Sequence, residues 1–305
     1  MKSPLVTIAI PTYNRPEGLH RTLEEVTNQS YTNLEILVSD NASPDPQVQS
    51  VIRKFASRDI RIQPFLQAEN IGAGRNFRFV LKASTGDFFM WASDDDHHSA
   101  DFVERCIKKF DTQGDAVGTV MTRASVHNRF TGVVSDLVLS DFSNSSSLFR
   151  KLRMHLQSPV PTFIYGLHRR DAIRWFEDSE SYDWLDCFFV TRLLLSGYDI
   201  GVIHDCVGYA AGIDTQEYTP KPMKARNHAL FEYMPYARAT ISEIIRSKTL
   251  RFHEKVALSS VVAEFTMRNF SHWERQKRPI QSRAAKVFLL PPAKIFRQAI
   301  NSCCY

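Results

Sequence analysis

Asp94, Asp95 and Asp96 are consecutive, after the apolar run Phe88-Phe89-Met90-Trp91 and before His97-His98. Three neighbouring carboxylates repel one another unless a cation or solvent relieves the charge. Hard divalent cations such as Mg²⁺ take oxygen ligands and are often shared between one or two carboxylates and a substrate's phosphates. The competing reading is an acidic turn in which Asp96 or Ser99 caps the next helix. His97 and His98 flank the aspartates. Mg²⁺ and Mn²⁺ prefer oxygen, so the histidines are expected to support the site or face solvent rather than bind the ion.

The elements that would position these aspartates alternate between strand and helix. Leu5 to Ile10 is an apolar, β-branched run suited to a buried parallel strand. It ends in the turn-rich Pro11-Thr-Tyr-Asn-Arg-Pro16, and a helix from Pro16 to about Gln29 presents Leu19, Leu23 and Val26 on one face. Leu34 to Val38 reads as the second strand, Gln47 to Ser57 as a helix, Ile60 to Leu66 as the third strand and Gly72 to Ser84 as a helix. The strand Phe88 to Ala92 then delivers the aspartates. Such alternation implies a parallel sheet with right-handed crossovers. Ligands of such sheets bind beyond the carboxyl ends of the strands. Polar residues follow each of the four strands: Thr12-Tyr13-Asn14, Asp40, Asn70 to Asn76, and Asp94 to Asp96.

Further along, Ala116 to Val126 reads as a strand with Gly132 to Leu139 as its hairpin partner, and residues 141–147 as a polar loop. A lone histidine in a strand, such as His168, is expected to be structural. The helices Met223 to Ile245 and Phe252 to Phe270 follow, the second expected to turn Val256, Ser260 and Ala263 inward.

Composition sets outer limits. Of 305 residues, 43% are hydrophobic and 23% charged, the balance of an ordinary globular protein. Met1-Lys-Ser-Pro4 leads straight into a strand-like segment, so no signal peptide is expected. No stretch of about 18 uninterrupted apolar residues suggests a membrane span. Five scattered cysteines without a CxxC pair suit a reducing cytoplasm and argue against a disulfide framework or a zinc site.

The net charge of +5 is unevenly spread. Residues 1–220 carry 22 Lys and Arg against 28 Asp and Glu, net −6; residues 221–305 carry 16 against 5, net +11. From Lys277 onward the cations alternate with Val287-Phe-Leu-Leu290 and Ile295-Phe296. That pattern suits contact with an anionic membrane surface through 277–305, or a helical appendage with solvated charges. Nucleic acid is not an expected partner, because no recognition motif appears and the body is acidic.

Four motifs in order, Val6-Thr-Ile-Ala-Ile-Pro-Thr-Tyr-Asn-Arg15, Leu37-Val-Ser-Asp-Asn-Ala-Ser43, Asn70-Ile-Gly-Ala-Gly-Arg-Asn76 and Ser93-Asp-Asp-Asp96, resemble family 2 glycosyltransferases over roughly residues 4–215. The resemblance implies an α/β, GT-A fold over 1–220, with a nucleotide-sugar-binding half (1–112) and an acceptor half (113–220), followed by a basic helical extension (221–305). It implies a nucleotide-diphosphate sugar donor (a UDP-sugar first among them), Mg²⁺ or Mn²⁺, and inversion at the anomeric carbon. Pro11, Thr12 and Tyr13 would wall the base, with Asn14, Arg15 and Asn70 beside them in the donor site. Asp40 would accept from a uracil-type N–H, and Arg75 would lie beside the base or diphosphate. The aspartates match the DXD element, with Asp94 toward the ribose or metal and Asp96 on the metal. Asp95 could exchange with either neighbour.

An inverting transfer also requires a base for the acceptor hydroxyl. The family places an acidic residue at a helix start, upstream of Arg-Leu and then Gly. Here Asp186 stands before Arg192-Leu193 and Gly197, while Leu185-Asp186 replaces the common Glu-Asp and keeps Asp183 open as an alternative base or a helix cap. Pro161 to Arg170 resembles the strand preceding the base-bearing helix. After the strand Gly201 to Val207, where relatives carry Arg and His, this chain reads Tyr209-Ala-Ala-Gly-Ile-Asp-Thr215, so the third metal ligand is unassigned and Asp214 is one candidate. Residues 212–222 suit a loop that closes over the donor.

The expected function is sugar transfer to a saccharide or lipid-linked saccharide acceptor in surface polysaccharide biosynthesis, by a cytoplasmic protein peripheral to the inner face of the membrane. A metal-dependent nucleotidyltransferase and a non-catalytic sugar-nucleotide-binding protein are the alternatives; the first would want a Gly-rich, Lys-bearing phosphate loop that Pro11-Thr-Tyr-Asn14 lacks.

Overall fold

The computed structural model describes residues 3–128, 132, 134–137, 139, 142, 147–179, 185–213 and 229–276. In chain order these form β1 (Val6–Thr12), α1 (Pro16–Thr27), β2 (Leu34–Asp40), α2 (Pro46–Ala56), β3 (Ile62–Leu66), α3 (Ala73–Ala83), β4 (Phe88–Trp91), β5 (His97–His98), α4 (Phe102–Gln113), β6 (Val117–Asn128), β7 (Val134–Leu137), α5 (Leu148–Gln157), β8 (Leu167–Arg169), α6 (Arg170–Ile173), α7 (Leu185–Leu195), β9 (Asp199–Ile213), α8 (Ala229–Arg246) and α9 (Phe252–Gln276). Residues group into two compact units. One holds 1–146, 160–181 and 196–224; the other holds 147–159, 182–195 and 225–305.

The first unit contains the sheet, in the order β3-β2-β1-β4-β8-β6-β9-β5, with β7 also paired to β6. β1 pairs in parallel with β2 and β4, and β2 with β3. β1 and β2 are buried along their whole length, as strands covered on both faces must be. Right-handed crossovers put α1 and α2 on one face and send α3 to the other, since the chain reverses direction after β3. The first β-α-β-α-β-α-β run is therefore the one the sequence implies. β4 also pairs antiparallel with β8, and β6 runs antiparallel to β8 and parallel to β9. Trp91 lies fully buried at the end of β4, with Phe89, His168 and Phe176 around its ring and its indole N–H on the Phe77 carbonyl.

Local expectations needed four corrections. Residues 161–165 form a 3-10 turn rather than a strand, because Pro161 starts it and Gly166 ends it; only Leu167–Arg169 is extended. β3 begins at Ile62, leaving Ile60 97% exposed in the preceding turn. The helix after the aspartates has Asp101 at its N-cap position, not Asp96 or Ser99. His168 is structural as expected, bonded to Thr119 Oγ1 and the Ile164 carbonyl at 2.9 Å each.

The second unit gathers α5, α7, α8 and α9. The fourth correction falls here: α9 buries Leu258, Ser259, Val262, Phe265 and Thr266, while Val256 and Ser260 are exposed. Arg192 of α7 donates to Glu243 of α8 at 2.6 Å, and Arg268 of α9 to the Gln157 carbonyl at 3.2 Å. Residues 147–159 and 182–195 group with the C-terminal helices. Among the described residues, no helix is long and apolar enough to cross a membrane.

Candidate active site

The carboxyl edge of the sheet is tied together by one line of hydrogen bonds that runs in strand order. Asn41, after β2, donates to Asn70 Oδ1 after β3 at 3.0 Å, and accepts from the Ile71 N–H at 2.9 Å. The Asn14 N–H, after β1, donates to Ser43 Oγ at 2.8 Å. Thr12 Oγ1, ending β1, donates to Asp94 Oδ2 after β4 at 2.7 Å. Asp96 in turn accepts from Tyr209 and Gly212 of β9 at 2.6 and 3.0 Å. Asn14 and Ala42 hold φ of 56° and 57° in the two loops beside β1. Asn adopts that left-handed region readily, whereas Ala does so at a cost that its surroundings must offset.

Asp40 is buried at the end of β2. Its Oδ1 accepts from the Ser43 N–H at 3.0 Å, while Oδ2 is buried without a hydrogen-bond partner among the described residues. Leaving a buried carboxylate oxygen unsatisfied is costly, which suits an atom kept for a ligand N–H. Pro11 and Thr12 are buried; Tyr13, Asn14 and Arg15 are exposed, so the Tyr13 ring offers an apolar face at the edge. Arg75 is exposed in the first turn of α3 and takes no part in this line. It stands near Arg78, whose guanidinium is pushed down by burial and then by the charge of Arg75.

The three aspartates differ in how they are held. Arg15 donates to Asp94 at 3.1 Å and also bonds Asp95, which accepts from the Ser93 hydroxyl as well. Asp94 is pushed above the usual carboxylate range by burial; Thr12 and Arg15 oppose that and Asp95 adds to it. Asp96 accepts from the Tyr209 hydroxyl and the Gly212 N–H. All three present oxygen only, the donor chemistry of Mg²⁺ or Mn²⁺. Among the described residues, no group of three or more His, Cys, Asp and Glu is arranged to enclose a metal. One or two of these carboxylates together with a diphosphate would suffice for Mg²⁺.

Several contributors went unread in the sequence. Gly18, in the first turn of α1, lies against the Asp94 backbone. Thr22 bonds the Ser93 carbonyl, and Glu25 is linked to His97 and accepts from the His98 N–H at 3.0 Å. His98 is buried and packs edge-on against Tyr209. His204 is exposed within β9.

Asp186 lies in the first turn of α7, in the helical unit, with Oδ1 accepting from the Cys187 N–H at 2.8 Å. Of the expected loop 212–222, Gly212 and Ile213 belong to β9, while the rest, with Asp183, Asp214 and the basic segment 277–305, lies outside the described residues.

The mixed sheet flanked by helices, with polar residues at the switch point between β1 and β4, has the fold of GT-A glycosyltransferases. Residues 7–174 match the profile of glycosyl transferase family 2, and the chain belongs to that family. The putative glycosyltransferase EpsH of Bacillus subtilis is 26% identical over 57% of this chain and 49% of its own length. A Campylobacter jejuni protein, GalNAc(5)-diNAcBac-PP-undecaprenol beta-1,3-glucosyltransferase, is 34% identical over 30% of each chain. The chain thus spans less than half of these relatives. S. aureus TarS 1-349 in complex with UDP-GlcNAc superposes with a TM-score of 0.68 at 17% identity, over 87% of this chain and 72% of its own. Mannosyltransferase PcManGT from Pyrobaculum calidifontis, in complex with GDP-Man and Mn2+, gives 0.55 at 18% identity, over 100% and 81%.

Proposed function

We propose that this chain is an inverting glycosyltransferase that moves a sugar from a nucleotide diphosphate, a UDP-sugar first among candidates, to a saccharide acceptor. The observation that carries this reading is the closure of Thr12 and Arg15 onto Asp94 across the switch point. It gathers acidic and cationic groups where a doubly wound sheet receives its ligand.

In this reading the base lies along Pro11 to Tyr13 with its N–H on the buried Asp40 oxygen, and Asn14 and Asn70 hold the neighbouring loops. Arg15 and Arg75 face the anionic part of the donor. Asp96, with Asp94 or Asp95, would hold Mg²⁺ or Mn²⁺, and a bound cation supplies charge stabilisation to the departing diphosphate. Asp186, with Asp183 as alternative, takes the proton from the acceptor hydroxyl. The oxygen then attacks the anomeric carbon from the face opposite the diphosphate. The new C–O bond forms as the old one breaks, and the nucleoside diphosphate leaves with the electron pair.

The undecaprenol-linked activity named for the Campylobacter relative supports a lipid-linked acceptor in surface polysaccharide assembly. The basic, apolar segment 277–305 would then meet the anionic inner face of the membrane from the cytoplasm. The test is sugar transfer from a panel of nucleotide sugars to lipid-linked acceptors. Asp186→Asn is expected to lower turnover by 10²- to 10⁴-fold, the contribution of a general base, with donor binding kept. Wild-type turnover in Asp186→Asn and in Asp183→Asn would remove the assigned base.

A further inference from the structure

We infer that the corner between α8 and α9, residues 245–256, is a docking surface for an anionic lipid bilayer. The inference deepens the membrane reading above, on which it rests, and places the contact in a different segment. Phe252, the first residue of α9, is 83% exposed, and Ile245 and Val256 are exposed as well. Phe252 and Val256 are four residues apart and so share one helix face. A lone exposed apolar residue needs no explanation, but these three stand at one corner. Cations surround them. Residues 245–256 hold Arg246, Lys248, Arg251 and Lys255 against a single acid, Glu254. In each ion pair the acid is the covered member. The Arg246 and Arg251 side chains are 73% and 72% exposed, whereas Glu243 and Glu254, at 3.7 and 2.9 Å from them, are 21% and 13% exposed. An approaching surface therefore meets positive charge first.

The corner is held in shape from within. Ile244, Leu250 and Leu258 are buried. Ser247 Oγ accepts from the Thr249 and Leu250 N–H groups at 3.3 and 3.4 Å. Glu254 accepts from the Arg251 N–H at 2.8 Å, at the start of α9. Lys255 donates to the Ile245 carbonyl at 2.8 Å and so fastens the end of α8 to the first turn of α9. A surface already shaped in this way loses little conformational freedom on docking. Large apolar side chains among cations suit the headgroup boundary of a bilayer: the apolar groups enter the acyl layer while the cations meet lipid phosphates. A second copy of the chain would instead bring like charges together, which opposes self-association here.

The experiment is co-sedimentation of the full chain with phosphatidylglycerol vesicles, and with phosphatidylcholine vesicles as the neutral reference. It compares the wild type, Phe252→Ser and the double variant Arg246→Gln, Lys248→Gln. Phe252→Ser is expected to weaken binding to the anionic vesicles about tenfold, the lower end of what burying a phenylalanine contributes. The double variant is expected to weaken it about fivefold for each cation removed. The substituted side chains are exposed, so thermal midpoints and UDP binding should stay at the wild-type values. Equal binding of all three proteins to the anionic vesicles would overturn the corner and leave the membrane reading standing on another segment. Wild-type binding as tight to phosphatidylcholine as to phosphatidylglycerol would overturn the role of charge and the inference with it. A lipid-free dimer that Phe252→Ser dissolves would assign the corner to a second copy and overturn it too. A wild type that binds neither vesicle would overturn both the inference and the membrane reading.

Discussion

The first turn of α1 rests directly on the Asp94 backbone: a Cβ added at Gly18 would lie 2.1 Å from the Asp94 carbonyl oxygen and 3.2 Å from its carbon. Helix and acidic turn are thus set against each other with no room for a methyl group. The contact is to backbone, which cannot swing aside as a flexible side chain would.

Gly18→Ala is therefore expected to push the aspartate turn away from α1. Overpacking of this kind costs about 1–3 kcal/mol. Urea denaturation should show that loss, and donor binding should weaken with it because Thr12 and Arg15 no longer meet Asp94. An alanine variant with wild-type stability and wild-type nucleotide affinity would show that the turn can shift freely.

Asp94 should oppose stability at neutral pH. Burial holds its folded-state proton affinity above the usual carboxylate value, so the native state binds more protons than the unfolded chain in the window just above that value. Stability contributed by the protonated form is present at low pH and lost as pH rises through the window. Asp94→Asn is expected to raise the thermal midpoint at pH 7, with the gain shrinking toward pH 4, and to weaken donor binding. A variant less stable at pH 7 than the wild type would mean that Thr12 and Arg15 more than offset the burial.

Three buried histidines act in the opposite sense. Burial pushes His98, His155 and His168 down to about 4 from their ordinary value of 6.5. All three are neutral in the fold and take up protons on unfolding, so their contribution is complete above pH 6.5 and falls away as pH drops toward 4. At about 1.4 kcal/mol per decade of proton affinity, each would contribute on the order of 3 kcal/mol across that window. Urea midpoints measured between pH 7 and 4.5 should fall steeply, and less steeply in His168→Gln. A flat profile would mean that these rings are not held neutral.

Local pattern made half of this architecture readable. The buried, β-branched run of β1, the turn residues after it and the amphipathic α1 to α3 each show in a short window of sequence, and together they imply the parallel β3-β2-β1-β4 order. The rest depended on long-range pairing. Nothing near Tyr209 signals Asp96, because the link is made by β5 meeting β9. Gly18 carries no motif; only a neighbouring backbone makes its missing side chain matter. Pro161 to Arg170 has strand-like composition, but Pro161 and Gly166 divide it into a 3-10 turn and a short strand. For α9, partners rather than periodicity choose the buried face, and they select Leu258, Val262 and Phe265.

The central claim is that the edge from Asp40 to Asp96 is a nucleotide-diphosphate site. Calorimetric titration of UDP, with Mn²⁺ present, into the wild type and Asp40→Ala tests it most directly. The expected result is saturable binding at one site per chain, weakened at least about tenfold in Asp40→Ala, as loss of a charged hydrogen bond of about 1.5–3 kcal/mol implies. Equal affinity in the two proteins, or no UDP binding by the wild type, would contradict it.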